Sequence, residues 1–151
     1  MTSNPPSDLW SITYTSSAVT LPSQAQLDQL LRQARARNHK LAITGVLLYY
    51  DGAFLQCIEG PRPALQRVYA AICADPRHQN VSELVREPIA RREYAEWSMA
   101  MCFIAGGIDT SGDERLLARL GAPQEGASAS RRLVSAFWTG GMELKCSRAF
   151  A

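Results

Sequence analysis

ITGVLLYYDGAFLQCIE, residues 43–59, decides the fold. Ile43 to Tyr50 is an apolar run of strand length, and Ala53 to Glu59 is a second one. Between them stands Asp51-Gly52, a dipeptide suited to the left-handed backbone of a two-residue hairpin turn. Both arms are apolar almost throughout, as expected of strands covered on both faces. Gly60-Pro61 then reads as a break.

Outward from the hairpin, elements alternate. Upstream, Leu9 to Tyr14 reads as a strand, and Leu21-Pro22-Ser23 opens a helix with Ser23 as N-cap. Leu27, Leu30, Leu31 and Ala34 follow the i, i+3, i+4, i+7 stripe of an amphipathic helix, which should end near Asn38. Downstream, Leu65, Val68, Tyr69 and Ile72 repeat that stripe up to Asp75-Pro76. Ser82 to Ile89 and Ser98 to Ile104 read as two further strands. The order β-α-β-β-α-β-β is an α+β, ferredoxin-like sandwich with one added strand. Both helices cover one sheet face, leaving the other open.

Three regions follow. Residues 1–8 are polar and proline-rich and read as a disordered tail. Residues 9–104 form the folded domain. Residues 105–151 hold two short helical stretches, Asp113 to Leu120 and Ser128 to Trp138, too little for a core of their own. They are expected to pack as a cap on the open sheet face, with Leu133, Val134, Phe137 and Trp138 as the apolar contacts.

Composition narrows the function. A hydrophobic fraction of 46% in 151 residues supports one domain, and a net charge of +2 argues against a protein built around nucleic-acid phosphates. No apolar run reaches the roughly 18–20 residues of a membrane helix, and the N-terminus lacks a signal peptide's basic start and apolar stretch, so a cytoplasmic location is expected. The 4 cysteines form no Cys-x-x-Cys pair and the 2 histidines lack ligand spacing, so no metal site is expected.

Five residues carry candidate chemistry: Tyr14, Asn38, Gln56, Trp97 and Met99. In the expected fold they converge between the helices and the sheet. Gln56 is the anomaly, because an amide inside an apolar strand needs partners; an unmet one costs about 1–3 kcal/mol. Those partners are either neighbouring side chains or a ligand. Cys57 follows Gln56, but strand alternation sends it to the opposite face.

Ile43-Thr44-Gly45, Leu47-Leu48-Tyr49, Gly52-Ala53-Phe54-Leu55-Gln56, Ile58-Glu59-Gly60, Asp75-Pro76-Arg77-His78 and Trp97-Ser98-Met99 occur in the order and spacing of the BLUF domain. The chain resembles that family of blue-light sensors using FAD from about Leu9 to Ile104. The resemblance implies a photoreceptor, not an enzyme, binding FAD without covalent linkage, with FMN or riboflavin as alternatives. It further implies that Tyr14 is the photoactive tyrosine and Gln56 the switching glutamine. Asn38 would hold the flavin ring and Leu30 and Ile72 would sandwich it. Arg37, Arg77 and His78 would lie near the cofactor, and Trp97 and Met99 would relay the signal. Transfer of an electron and proton from Tyr14 to excited flavin would rearrange the Gln56 amide and red-shift absorption. The output would pass to a downstream partner protein, from a homo-oligomer. The competing classes are an acylphosphatase-type hydrolase and an interaction module on the same fold without flavin. The first needs an anion-binding loop that the sequence lacks, and the intact Tyr14, Asn38 and Gln56 set speaks against the second.

Overall fold

The computed structural model describes residues 8–103 and 126–138. Residues 1–7 of the expected 1–8 tail and the expected helix Asp113 to Leu120 lie outside the described residues. The elements are β1 (Leu9–Ala18), α1 (Gln24–Lys40), β2 (Thr44–Tyr50), β3 (Ala53–Pro61), α2 (Arg62–Ala74), β4 (His78–Pro88) and β5 (Ala100–Phe103). A further helix, α3, spans residues 129–138. The sheet order is β4-β1-β3-β2-β5. The first four strands pair antiparallel in the ferredoxin-like order, and β5 adds to β2 in parallel.

The hairpin closes as its turn residues dictate. Asp51 and Gly52 both have positive φ, 46° and 86°, the pairing of a type I′ turn whose twist suits the flanking strands. Helix α1 starts at a capping box. Ser23 Oγ accepts from Gln26 N at 3.1 Å, and Gln26 Oε1 accepts from Ser23 N at 2.8 Å. Ser23→Ala is therefore expected to lower unfolding stability by about 1 kcal/mol in chemical denaturation.

The sheet is covered on both faces. On the inner face, under α1 and α2, Ile12, Tyr14, Leu47, Phe54 and Ile58 pack with Leu27, Leu65, Val68 and Ile72. On the outer face, Val46, Leu48, Leu55 and Cys57 pack with Tyr94 and with Val134 of α3, against which Phe137 and Trp138 also lie. Ser130 of α3 meets Ser11 of β1, Oγ to Oγ at 3.2 Å. Two-sided cover is why β3 is buried from Phe54 to Gly60 without alternation.

Several boundaries differ from expectation. Strand β3 runs through Gly60-Pro61 instead of breaking there, with Trp10 opposite Gly60 and Leu9 opposite Pro61. Glycine is needed at 60 for close approach: a Cβ there would sit 2.6 Å from Ile43 Cδ1 and 2.9 Å from the Ala42 carbonyl oxygen. Strand β4 begins at His78 rather than Ser82, because its polar start is a sheet edge held by backbone pairing to β1. Strand β5 begins at Ala100, not Ser98. Among the described residues no helix is long and apolar enough to cross a membrane.

Candidate functional site

A cavity of about 560 Å³ opens between α1, the end of α2 and the inner face of the sheet. That is within the usual range for a small-molecule site. Leu30 and Ala34 of α1 form one wall and Ile72 of α2 the other; Leu47, Phe54, Tyr14 and Gln56 line the sheet side, and Arg37, Asp75, Arg77 and His78 are also at its border.

Sheet register brings the polar pair together. Tyr14 of β1 lies directly opposite Gln56 of β3, and Gln56 lies opposite Leu47 of β2. The Tyr14 hydroxyl donates to Gln56 Oε1. Gln56 Nε2 faces Met99 Sδ at 3.4 Å. A thioether is a weak acceptor, so among the described residues this buried amide has a strong partner on its oxygen only. Burial holds the Tyr14 phenol well above its usual pKa, although the nearby Arg37 guanidinium acts in the opposite direction. The ring is packed edge-on by Tyr69, with centroids 5.7 Å apart.

Asn38 is fully buried one turn beyond Ala34. Its Nδ2 donates to the Ser98 carbonyl at 2.9 Å, and its Oδ1 accepts from Arg37 Nε at 3.3 Å. Burial lowers the Arg37 pKa, while Tyr14 and Asp75 oppose that shift. Arg77 is tied to Asp75 at 2.5 Å and reaches Gln33 Oε1 at 3.3 Å. That pairing holds the Asp75 carboxyl below its usual range. His78 Nε2 meets the Ile72 carbonyl at 2.5 Å and Nδ1 meets Ser16 Oγ at 2.9 Å, which sets Nε2 as the protonated nitrogen.

Tyr14, Gln56, Leu30, Ile72, Arg37, Arg77 and His78 thus share one cavity, with Met99 against Gln56; Asn38 does not line that cavity and is bonded to Arg37, which does, and to Ser98. Trp97 does not converge with them. It packs on the outer face with the Tyr94 and Val134 cluster, whereas Met99 is in the inner core. The reason is local. Residues 97–99 precede the first residue of β5, so the i, i+2 rule that would put both side chains on one face does not apply.

Further contributors carry no expected site role, although Phe54 and Leu47 lie within the quoted motifs. Phe54 is two residues before Gln56 on β3 and shares its face, and Leu47 is its cross-strand neighbour; period-2 alternation and the hairpin register point to both. The Ser98 carbonyl has no sequence signal, because backbone acceptors are invisible in side-chain patterns. Cys57, on the outer face, has its thiol pKa pushed up to about 12 by burial, which keeps it protonated. Among the described residues, no cluster of three or more His, Cys, Asp or Glu could hold a metal.

The donor set fits a flavin. Two aliphatic walls suit a flat ring, and a buried amide with a weakly met donor suits the ring's acceptor edge. The family model described as sensors of blue-light using FAD matches residues 9–100. The chain belongs to the BLUF family.

Its BLUF relatives are varied in build. The chain is 43% identical over 94 residues to photoactivated adenylate cyclase subunit beta of Euglena longa, covering 62% of this chain and 11% of that one. It is 33% identical over 76 residues to the blue light- and temperature-regulated antirepressor BluF of Escherichia coli K12, covering 50% and 19%. It thus spans a small part of the curated relatives it matches. Among solved structures, the dark state of the BLUF protein BlrB has 34% identity and a TM-score of 0.65, covering 87% of this chain and 98% of that one. Klebsiella pneumoniae BlrP1 with FMN and cyclic diGMP has 32% identity and a TM-score of 0.73, covering 88% and 35%. The BLUF fold, with its ferredoxin-like sheet and helices, is the architecture described above.

Proposed function

We propose that this chain is a blue-light photoreceptor that holds FAD without a covalent bond and signals through the Tyr14–Gln56 hydrogen bond. The observation that carries this reading is the buried Gln56 amide, bonded on its oxygen by Tyr14 and only weakly engaged on its nitrogen by Met99. What bound flavin supplies is blue absorption and an excited state able to accept an electron.

Tyr14 is the electron donor in this reading. Its proton has one route already in place, along the hydrogen bond to Gln56 Oε1. The electron would pass to bound flavin and the proton would leave Tyr14 along this bond, with the amide releasing one of its own N–H protons toward the flavin in exchange. The deprotonated Tyr14 oxygen can then only accept, which favours the amide turned with its nitrogen toward Tyr14. Return of the electron and the proton to Tyr14 would restore the phenol and leave the amide with its unlike ends reversed. A carboxylate at this position would only accept and could not reverse. Leu30 and Ile72 exclude water from the ring faces, and Asn38 orients the ring edge. Arg37 and Arg77 border the cavity, but Arg77 is already engaged by Asp75, so the diphosphate would add little to binding. FMN and riboflavin are therefore expected to replace FAD with modest loss.

The domain transforms no substrate in this reading. Its output goes to a partner protein through the outer face, where α3 is seated and where Trp97 lies, and a homo-oligomer is the expected assembly. The free thiols Cys57 and Cys73 suit the reducing conditions of the cytoplasm.

The protein is expected to purify yellow and to release flavin on denaturation. A colourless protein that takes up no added FAD would reject the reading. Asn38→Ala is expected to weaken flavin retention about tenfold, a loss of about 1.4 kcal/mol, measured by equilibrium dialysis. Unchanged affinity would remove Asn38 from the binding set.

A further inference from the structure

Three consecutive carbonyls ahead of β5 are each held by a donor: Trp97 O by Gly45 N at 3.1 Å, Ser98 O by Asn38 Nδ2 at 2.9 Å, and Met99 O by Arg35 Nε at 2.9 Å. Arg35 and Asn38 are three residues apart on α1 and so stand on neighbouring positions of one helix face. They grip adjacent links of the same segment. Nothing in sequence pattern marks Arg35, which reads as an ordinary solvated charge, yet its guanidinium makes a half-buried bond to a residue 64 positions away.

Met99 joins the two ends of this arrangement. Its carbonyl is fixed by Arg35 and its sulfur faces the Gln56 amide. A methionine side chain is flexible and adaptable, so the thioether is placed against the amide only if its backbone is fixed. We infer that Arg35 is a positioning residue for the switch: by holding the Met99 carbonyl it seats the Met99 thioether on Gln56 and so sets how fast the amide returns to its dark orientation. This rests on the photoreceptor reading proposed above. Arg35 does not line the cavity, and its hydrogen bond goes to Met99, so it acts through Met99.

The consequences are directional. The Gln56 Nε2 to Met99 Sδ contact belongs to the dark arrangement. Loosening Met99 withdraws that contact from the state to which the amide returns, and recovery slows. Arg35→Met keeps most of the aliphatic stem and a good helix former but has no donor. Arg35→Lys keeps a donor.

The test pairs two measurements on each dark-purified protein. Hydrogen exchange reads residues 97–100 without light, and the decay of the light-induced absorption change reads recovery. Arg35→Met is expected to accelerate exchange in that segment and to slow recovery about fivefold, the scale of one hydrogen bond. Arg35→Lys is expected to restore both to within about twofold of wild type. If Arg35→Met leaves exchange at 97–100 unchanged, the clamp is absent and the inference falls. Faster exchange with unchanged recovery also overturns it, by making Arg35 merely structural, and so does an Arg35→Lys that recovers as slowly as Arg35→Met. A wild type with no light response at all would reject both the photoreceptor reading and the switch role of Arg35, whereas failure of the inference alone leaves the wild-type response intact.

Discussion

In Tyr14→Phe and in Gln56→Leu, the light-minus-dark spectrum is expected to be flat, while wild type shows a reversible shift to longer wavelength. Tyr14→Phe keeps the ring that packs edge-on against Tyr69 and removes only the hydroxyl that donates to Gln56 Oε1. Gln56→Leu keeps the approximate volume of a buried side chain and removes the amide that accepts from Tyr14 and faces Met99. Each variant loses few contacts to the cavity, about 1 kcal/mol per hydrogen bond, so both should still load with flavin. Loading must be checked first, since an empty variant is also flat. Tyr14→Phe leaves the Gln56 oxygen unmet in a buried site, so a small loss of stability, about 1 kcal/mol, accompanies it. A normal red shift in either flavin-loaded variant would reject the Tyr14–Gln56 switch and leave flavin binding standing. Bleaching in place of a shift would point to adduct chemistry, which the outward-facing and protonated Cys57 does not favour.

The parts of the molecule legible in the sequence are those set by local rules. Asp51-Gly52 needs left-handed backbone and closes the hairpin. Ser23 and Gln26 cap α1 as their spacing allows. Once the hairpin and β1 are assigned, the Tyr14 to Gln56 contact follows from register. What was not legible depends on tertiary partners. Helix α1 runs two residues past Asn38 because its stop is Ala42 in left-handed geometry, φ 57°, with Ile43 N bonding back to the Asn38 carbonyl at 2.9 Å. Glycine is the usual residue there, and alanine gives no such signal. Trp97 is expected beside Met99 between the helices and the sheet, but β5 starts only at Ala100, so strand geometry does not keep the two side chains on one face. The Asn38 and Arg35 contacts end on backbone carbonyls some 60 positions away, which no local pattern encodes.

Glu59→Ala is expected to destabilise the protein by about 3 kcal/mol in urea denaturation, more than any surface change. Glu59 is buried on β3, three residues after Gln56. Its Oε1 accepts from Tyr94 N at 2.7 Å and from Thr44 Oγ1 at 2.9 Å, and its Oε2 accepts from Glu93 N at 2.9 Å. Arg92 closes the group by donating to Thr44 Oγ1 at 2.9 Å and to the Ala42 carbonyl at 2.7 Å. An acceptor-only carboxylate is suited to a place where every neighbour is a donor. Burial raises the Glu59 pKa, and the bonds from Glu93 and Tyr94 pull it back only in part. The sign of the linkage follows: a carboxyl whose folded pKa lies above its unfolded value favours the fold below the ordinary glutamate range, and that advantage is lost as pH rises through the raised value. Glu59→Gln keeps the shape and abolishes this titration, but turns an amide N–H toward a backbone donor. Its deficit relative to wild type is therefore expected to be about 1–2 kcal/mol in acid and to shrink as pH rises through the raised Glu59 pKa. Alanine fares worse at every pH, because the buried Tyr94 N–H and the half-buried Glu93 N–H lose this acceptor. Those two N–H groups belong to the segment that carries Tyr94 into the outer core and leads on to Trp97 and Met99, so Glu59→Ala should also disturb the light response. A loss below about 0.5 kcal/mol would mean that water takes over the carboxylate's place and that the segment is held by Arg92 and packing alone.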